Sequence, residues 1–171
     1  MQYQKQGRDE CWLASLAMLS GKTLDEVRRV AAVETGDSLR EFNWSRTVQR
    51  LVYWPDSFHA LSLKICSALG LPPFSVYYQH LVMLSNAPST RPDLTGRGYI
   101  SLLFIAGAHA IVYEDGLVFD PDREETKYGM DWESYVELRE ELGLPKIIEF
   151  KLSKVAAGAG VVCRRRDRKG R

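Results

Sequence analysis

A run of apolar residues near the N-terminus, DECWLASLAMLSG at residues 9–21, constrains the fold more than any other part of the sequence. Asp9 suits an N-cap and Gly21 suits the position just after a helix, so the run predicts a helix over about residues 10–20. Apolar side chains would surround this helix on all sides, and such a helix belongs in the centre of a core. Cys11 stands at its start, where a thiol either packs as a small hydrophobe or is activated as a thiolate.

Composition narrows the class of protein. The chain has 171 residues, of which 45% are hydrophobic and 26% are charged, as in a globular domain with its own core. Its formal charge of +1 gives no overall bias toward nucleic acid. There is no apolar stretch long enough to span a bilayer and no signal-peptide core, which predicts a cytoplasmic protein without membrane contact. The three cysteines form no metal-type cluster, so we expect free thiols and no metal or cofactor.

The order of elements predicts an α+β domain. Helical patterns come first and strand-like runs follow, with a late amphipathic helix before the last strand. We expect one domain over residues 1–154 and a flexible basic tail over residues 155–171, capable only of weak contacts with nucleic acid. The expected helices cover about residues 23–33, 38–54, 57–69, 74–84 and 130–143, and the expected strands cover about residues 99–107, 109–114, 117–120 and 146–154.

Two polar residues mark the ends of two neighbouring predicted strands. His109 opens one strand and Asp120 closes the next, and Asp115-Gly116 between them is a strong signal for a two-residue hairpin. Such a hairpin would place His109 and Asp120 opposite each other at one end of the sheet. A carboxylate there can hold one imidazole nitrogen and leave the other for a thiolate. Asp122 is a competing carboxylate. The remaining cysteines and histidines are expected to be incidental: Cys66, Cys163, His59 and His80.

These motifs resemble the papain-like cysteine peptidase superfamily. A glutamine shortly before DECWLA and the later AHAIVYEDGLVFDP follow its order of Gln, Cys, His and Asp. The chain is similar to a compact group that includes double-glycine leader peptidases and stand-alone proteins of bacteria and bacteriophages. The resemblance covers roughly residues 4–121, and only the motifs at its two ends are specific to the superfamily. It implies a papain-like fold, in which a buried helix headed by the cysteine packs on an antiparallel sheet that carries the histidine and the acid.

The resemblance also implies a thiol-dependent hydrolase with a catalytic triad of Cys11, His109 and Asp120. The oxyanion glutamine of the superfamily usually stands six positions before the cysteine, where this chain has Lys5. Gln4 and Gln6 flank that position, and we favour Gln6 because Gly7 allows the following loop to adjust. The expected substrate is a peptide or protein, cleaved at a peptide or isopeptide bond.

Three further residues are expected near the substrate. Gly107 and Ala108 precede His109, and their small size favours an acyl side that ends in a small residue such as glycine. Trp12 follows the thiol, so it could either pack beneath the site or narrow it. Two alternatives remain at this point: a transglutaminase or deamidase that uses the same triad, and a catalytically inactive papain-like protein that serves in binding or anti-defence. The sequence leaves the oligomeric state open.

Overall fold

A six-stranded antiparallel sheet lies between two layers of helices in the computed structural model, which describes residues 1–7, 9–51, 55–72, 74–77, 92–105 and 107–155. The helices are α1 (Cys11–Ser20), α2 (Leu24–Thr35), α3 (Trp44–Leu51), α4 (Pro55–Ala68) and α5 (Trp132–Glu141). The strands are β1 (Phe74–Tyr77), β2 (Arg97–Phe104), β3 (Gly107–Glu114), β4 (Leu117–Phe119), β5 (Met130–Asp131) and β6 (Glu149–Val155). Among the described residues, helices α1–α4 precede the sheet, and the predicted α+β class is confirmed. None of the described helices has the length and apolar character needed to cross a membrane.

The strands lie in the order β1-β6-β2-β3-β4-β5. The prediction of a helix over residues 74–84 is wrong at its start, since Phe74 pairs with Val155 when β1 joins the sheet. The reason is a vacant edge of β6, which offers hydrogen bonds to an extended segment rich in aromatic and β-branched residues. Residues 78–84 lie outside the described residues. Strand β6 reaches Val155, one residue into the predicted tail, and residues 156–171 also lie outside the description.

Helix α1 occupies the centre of the first core, as predicted. Leu13, Ala14, Leu16 and Ala17 have no exposed surface. The cluster around them joins α1–α4 to one face of the sheet, and a second cluster joins α5 to the other face. Helix α1 ends at Gly21, whose φ of 67° is left-handed.

Other helix boundaries depend on local capping. The predicted capping box before α2 is confirmed, because the Thr23 hydroxyl accepts from the Glu26 N–H while the Glu26 carboxylate accepts from the Thr23 N–H. Helix α3 begins later than expected, because the Asn43 side chain accepts from the Arg46 N–H and so caps the helix there. Pro55 is the first residue of α4, where its missing N–H costs no hydrogen bond.

Residues of β3 alternate between the two cores. Ala110 and Val112 belong to the cluster around α1, whereas Ile111 and Tyr113 belong to the cluster around α5. The alternation assigns His109 to the same side of β3 as Ile111.

Candidate active site

The hairpin between β3 and β4 brings His109 close to Asp120. Asp115 and Gly116 have φ angles of 48° and 91°, which fits the predicted two-residue turn. The register pairs Val112 with Phe119, so its continuation would place Asp120 across from position 111. The two site residues are therefore diagonal neighbours. The prediction that they lie directly opposite each other is wrong, because position 111 on β3, two residues beyond His109, is the one across from Asp120. Diagonal neighbours on one face remain within reach of long side chains.

His109 and Asp120 form a buried pair. His109 Nε2 lies 2.7 Å from Asp120 Oδ1, and the side chains are 14% and 1% exposed. Burial lowers the pKa of His109, but hydrogen bonds to Asp120 and Cys11 and the charges of both partners outweigh it, and the pKa rises to about 9. With Nε2 engaged by Asp120, Nδ1 is the ring nitrogen left for the thiol. The structure thus brings together the three residues predicted as a triad.

Cys11 is the first residue of α1, and Ser15 fixes that helix to the histidine strand. The Ser15 hydroxyl donates to Cys11 O (2.8 Å) and lies 3.3 Å from Ala110 O. One buried side chain therefore ties the backbone of Cys11 to the residue after His109. The predicted N-cap, Asp9, is wrong, since Glu10 occupies that position and Asp9 has a left-handed φ of 58°.

The carboxylate of Glu10 is directed away from the helix end. It forms a bidentate ion pair with Arg28 of α2, with Arg28 Nε 2.9 Å from Glu10 Oε1. Gly7 lies against this pair, and a Cβ there would collide with the Glu10 carboxylate. A side chain at position 7 would therefore displace the ends of the Glu10 and Arg28 side chains.

Asp120 receives hydrogen bonds from three directions. Oδ1 also accepts from the Asp122 N–H (2.9 Å), and Oδ2 accepts from the Tyr135 hydroxyl (2.8 Å). The Thr126 hydroxyl accepts from the Asp120 N–H (2.7 Å). Burial raises the pKa of Asp120, but its hydrogen bond to His109, the histidine charge and its other donors together lower it. The carboxylate is therefore ionised and fixed in orientation.

Sequence reasoning missed the support supplied by α5. The Tyr135 hydroxyl accepts from Arg139 Nη1 (3.2 Å), and Arg139 Nη2 donates to Pro145 O (3.0 Å). Burial, followed by the charge of Asp120, raises the pKa of Tyr135 well above its usual value, so the hydroxyl remains a donor. The available signal was the spacing of Tyr135 and Arg139, four residues apart on one face of the predicted helix.

The side chains of the competing candidates have other environments. The exposed carboxylate of Asp122 is 3.3 Å from Arg123 Nη2. Cys66 is buried, which raises the pKa of its thiol to about 12. His59 is exposed. His80 and Cys163 lie outside the described residues. Within the part of the chain that the structure describes, no group of three His, Cys, Asp or Glu side chains could hold a metal ion.

The N-terminal segment passes beside the Asp120 loop. The Gln6 N–H donates to Pro121 O (2.9 Å), and Gln6 Oε1 is a buried atom with no hydrogen-bond partner among the described residues. Lys5, at the usual oxyanion position, instead places its ammonium 2.9 Å from Glu124 Oε1 at an exposed site. Gln4 is half-buried. Gln6 is therefore the glutamine with a defined anchor beside the candidate site.

The three expected cleft residues divide into two kinds. Trp12 is 8% exposed and stacks on Trp44 with ring centroids 5.2 Å apart, so it packs beneath the site and does not narrow it. Gly107 and Ala108 are exposed, and a Cβ at Gly107 would meet open space. The surface before His109 is thus open.

Comparisons with models of protein families, with curated proteins and with solved structures found no match. The papain-like fold therefore remains a proposal that depends on the order of the motifs and on the geometry around His109.

Proposed function

We propose that the protein is a thiol-dependent hydrolase with a papain-like fold, a cysteine peptidase that cleaves a peptide or isopeptide bond. The observation that carries this proposal is the buried His109–Asp120 pair, with 2.7 Å between Nε2 and Oδ1, beside Cys11, which contributes to the raised pKa of His109. A nucleophile, a base and a carboxylate that orients the base form the minimal set for acyl transfer through a covalent intermediate.

The ionisation of the pair supports the same chemistry. His109, with a pKa of about 9, carries a proton at neutral pH, and ionised Asp120 holds that imidazolium. The proposed resting state is a thiolate at Cys11 beside this cation, at the N-terminus of α1 where negative charge is stabilised.

The proposed reaction has two halves. In the first, Cys11 Sγ attacks the carbonyl carbon, a C–S bond forms and one electron pair moves to oxygen. The Cys11 N–H and the Gln6 side-chain amide stabilise that oxyanion, and donors of this kind are worth about 3 kcal/mol each. The C–N bond then breaks as His109 gives its proton to the departing nitrogen.

In the second half, His109 removes a proton from water and the resulting hydroxide attacks the thioester. The C–S bond breaks, the acid product leaves, and the thiolate and imidazolium are restored. The open surface at Gly107 and Ala108 admits the acyl side of a substrate but sets no limit on its size, so an acyl side that ends in a small residue such as glycine stays a prediction.

Alkylation with iodoacetamide at mildly acidic pH tests the thiol. The background is Cys66→Ala with Cys163→Ser, so that Cys11 is the sole thiol, and the matched control adds His109→Gln. We expect rapid modification of Cys11 that slows when His109 is removed. Equal slow rates in both proteins would contradict the proposed ion pair and would favour an inactive binding protein.

A peptide library then tests the reaction. Cleavage that disappears on alkylation of Cys11 is the expected result. Release of ammonia from glutamine side chains without chain cleavage would instead assign a deamidase or transglutaminase.

A further inference from the structure

A cleft of about 200 Å³ lies against the His109–Asp120 pair. Small-molecule sites usually occupy roughly 300–1,000 Å³, so this cleft suits a single residue of a larger substrate. Of the three triad residues, His109 and Asp120 line the cleft and Cys11 does not. The cleft therefore approaches the candidate active site from the side of the imidazole.

That position identifies the part of a substrate that the cleft can receive. In the proposed reaction the acyl fragment becomes bonded to Cys11, whereas the departing nitrogen takes its proton from His109. The leaving fragment must therefore lie against the imidazole. A cleft that contacts His109 and not Cys11 therefore fits the leaving side of the scissile bond better than the acyl side.

Two arginines give this cleft its chemical character. The Arg139 side chain is buried, and its hydrogen-bond acceptors in the described part of the chain, Tyr135 Oη and Pro145 O, are uncharged. The guanidinium also lies 4.8 Å from the centroid of the Phe104 ring. A buried cation held by uncharged groups is stabilised when an anion approaches it.

Arg123 supplies the second guanidinium, and its side chain is 29% exposed. Asp122 also lines the cleft, but its carboxylate is 3.3 Å from Arg123 Nη2. Among the described residues, the Asp120 carboxylate is thus paired with His109 and the Asp122 carboxylate with Arg123. Arg139 is the cation of the cleft whose partners there are uncharged, and it can accept a carboxylate from a ligand.

Apolar groups complete the walls. Phe104, Leu144 and Pro145 line the cleft together with the charged residues. They provide a surface for the methylene groups of a side chain whose end reaches a guanidinium. A short chain that ends in a carboxylate matches this combination.

We propose that this cleft binds the residue on the leaving side of the scissile bond and selects one that carries a carboxylate. An acidic side chain and a free C-terminal carboxylate share this chemistry. The inference rests on the proposed peptidase activity, since it assigns the leaving side by the path of the proton.

Matched peptides test the selection once a cleaved sequence is known from the library. One pair carries Glu or Gln at the leaving residue inside a longer peptide. A second pair ends at a leaving Gln, either as the free carboxylate or as the amide. We expect kcat/KM to be roughly fivefold to tenfold higher for the carboxylate member of at least one pair, and the preference should shrink at high salt. The peptide pair that shows the preference tells whether the cleft binds an acidic side chain or a free C-terminal carboxylate.

Arg123→Gln provides the decisive variant, because the residue is partly exposed and its loss leaves the core intact. Lys127→Gln is the matched control, since it removes one positive charge from an exposed residue nearby. Arg123→Gln should reduce the preference to about twofold or less while Lys127→Gln retains it. Cleavage of all four peptides at equal rates, or equal loss of preference in both variants, would refute the proposed selection of a carboxylate. Either result would leave the proposed peptidase activity standing. If no library peptide is cleaved and Cys11 is unreactive, both the proposed peptidase activity and this inference are refuted.

Discussion

Asp120 lies diagonally across the β3–β4 hairpin from His109, with 2.7 Å between Oδ1 and Nε2. The contact is buried, and Tyr135 holds the second carboxylate oxygen from the opposite side. The imidazole is thus oriented by a carboxylate that is itself fixed. Substitution of the carboxylate and substitution of the tyrosine that holds it therefore have consequences that can be measured separately.

Cys11→Ala should remove activity and leave the fold nearly unchanged. Loss of one half-buried sulfur opens a small void, which we expect to cost about 1 kcal/mol. Turnover should fall at least about a thousandfold, because the nucleophile itself is absent. Urea unfolding and hydrolysis of a library substrate measure the two effects. Cys66→Ala is the control and should retain turnover; full turnover by Cys11→Ala would refute the thiol mechanism.

The stability of the protein should fall as pH rises from about 6.5 to above 9. The folded state raises the pKa of His109, so it binds this proton more tightly than the unfolded chain does. The resulting stabilisation is fully present below about pH 6.5 and disappears as pH passes about 9, with a size of about 3 kcal/mol.

Urea unfolding across this pH range measures the slope. His109→Gln should flatten it, whereas His59→Gln, at an exposed histidine, should leave it unchanged. A slope that survives in His109→Gln would show that another group supplies it.

Asp120→Asn should lower the pKa of His109 and reduce turnover only in part. The amide oxygen can still accept from Nε2–H, but the negative charge that supports the imidazolium is gone. NMR titration of the His109 ring and a pH–rate profile measure the two effects. Asp115→Asn is the control, because Asp115 lies in the turn with a positive φ that asparagine tolerates. An unchanged pKa of His109 in Asp120→Asn would refute the proposed role of Asp120 in the triad.

Tyr135→Phe should weaken both the fold and the chemistry. The change leaves Asp120 Oδ2 and Arg139 Nη1 without this partner, which we expect to cost about 1–3 kcal/mol. Loss of the Tyr135 hydrogen bond also raises the pKa of Asp120, so the acid limb of the pH–rate profile should move to higher pH. Tyr128→Phe, at an exposed tyrosine, is the matched control. A loss of stability with an unmoved acid limb would limit Tyr135 to a structural role.

Local signals were sufficient for the parts of the fold that the sequence predicted well. The α1 pattern, the Thr23 capping box and the Asp115-Gly116 turn each depend on a few adjacent residues. Strand β1 was not predictable in the same way, because its partner is β6 at the far end of the chain. Pairing of that kind depends on the tertiary arrangement and overrides local propensity.

The sequence predicted the central pair of the candidate site, His109 and Asp120, but not the residues that hold this pair in place. The hairpin turn was enough to bring His109 near Asp120, although the register is diagonal. The roles of Tyr135 and Arg139 required knowledge that α5 packs on the same face of the sheet as the Asp120 side chain. No local pattern contains that information.

The hydrogen bond from Gln6 to Pro121 joins the two ends of the site across more than half of the chain. During synthesis, the cysteine helix leaves the ribosome long before the hairpin that carries the imidazole and the helix that holds its carboxylate. Closing a loop of such length costs more chain entropy than closing a local contact. In the nascent chain Cys11 therefore emerges long before its proposed partner His109, and the proposed thiol–imidazole pair can form only after the β3–β4 hairpin has been made.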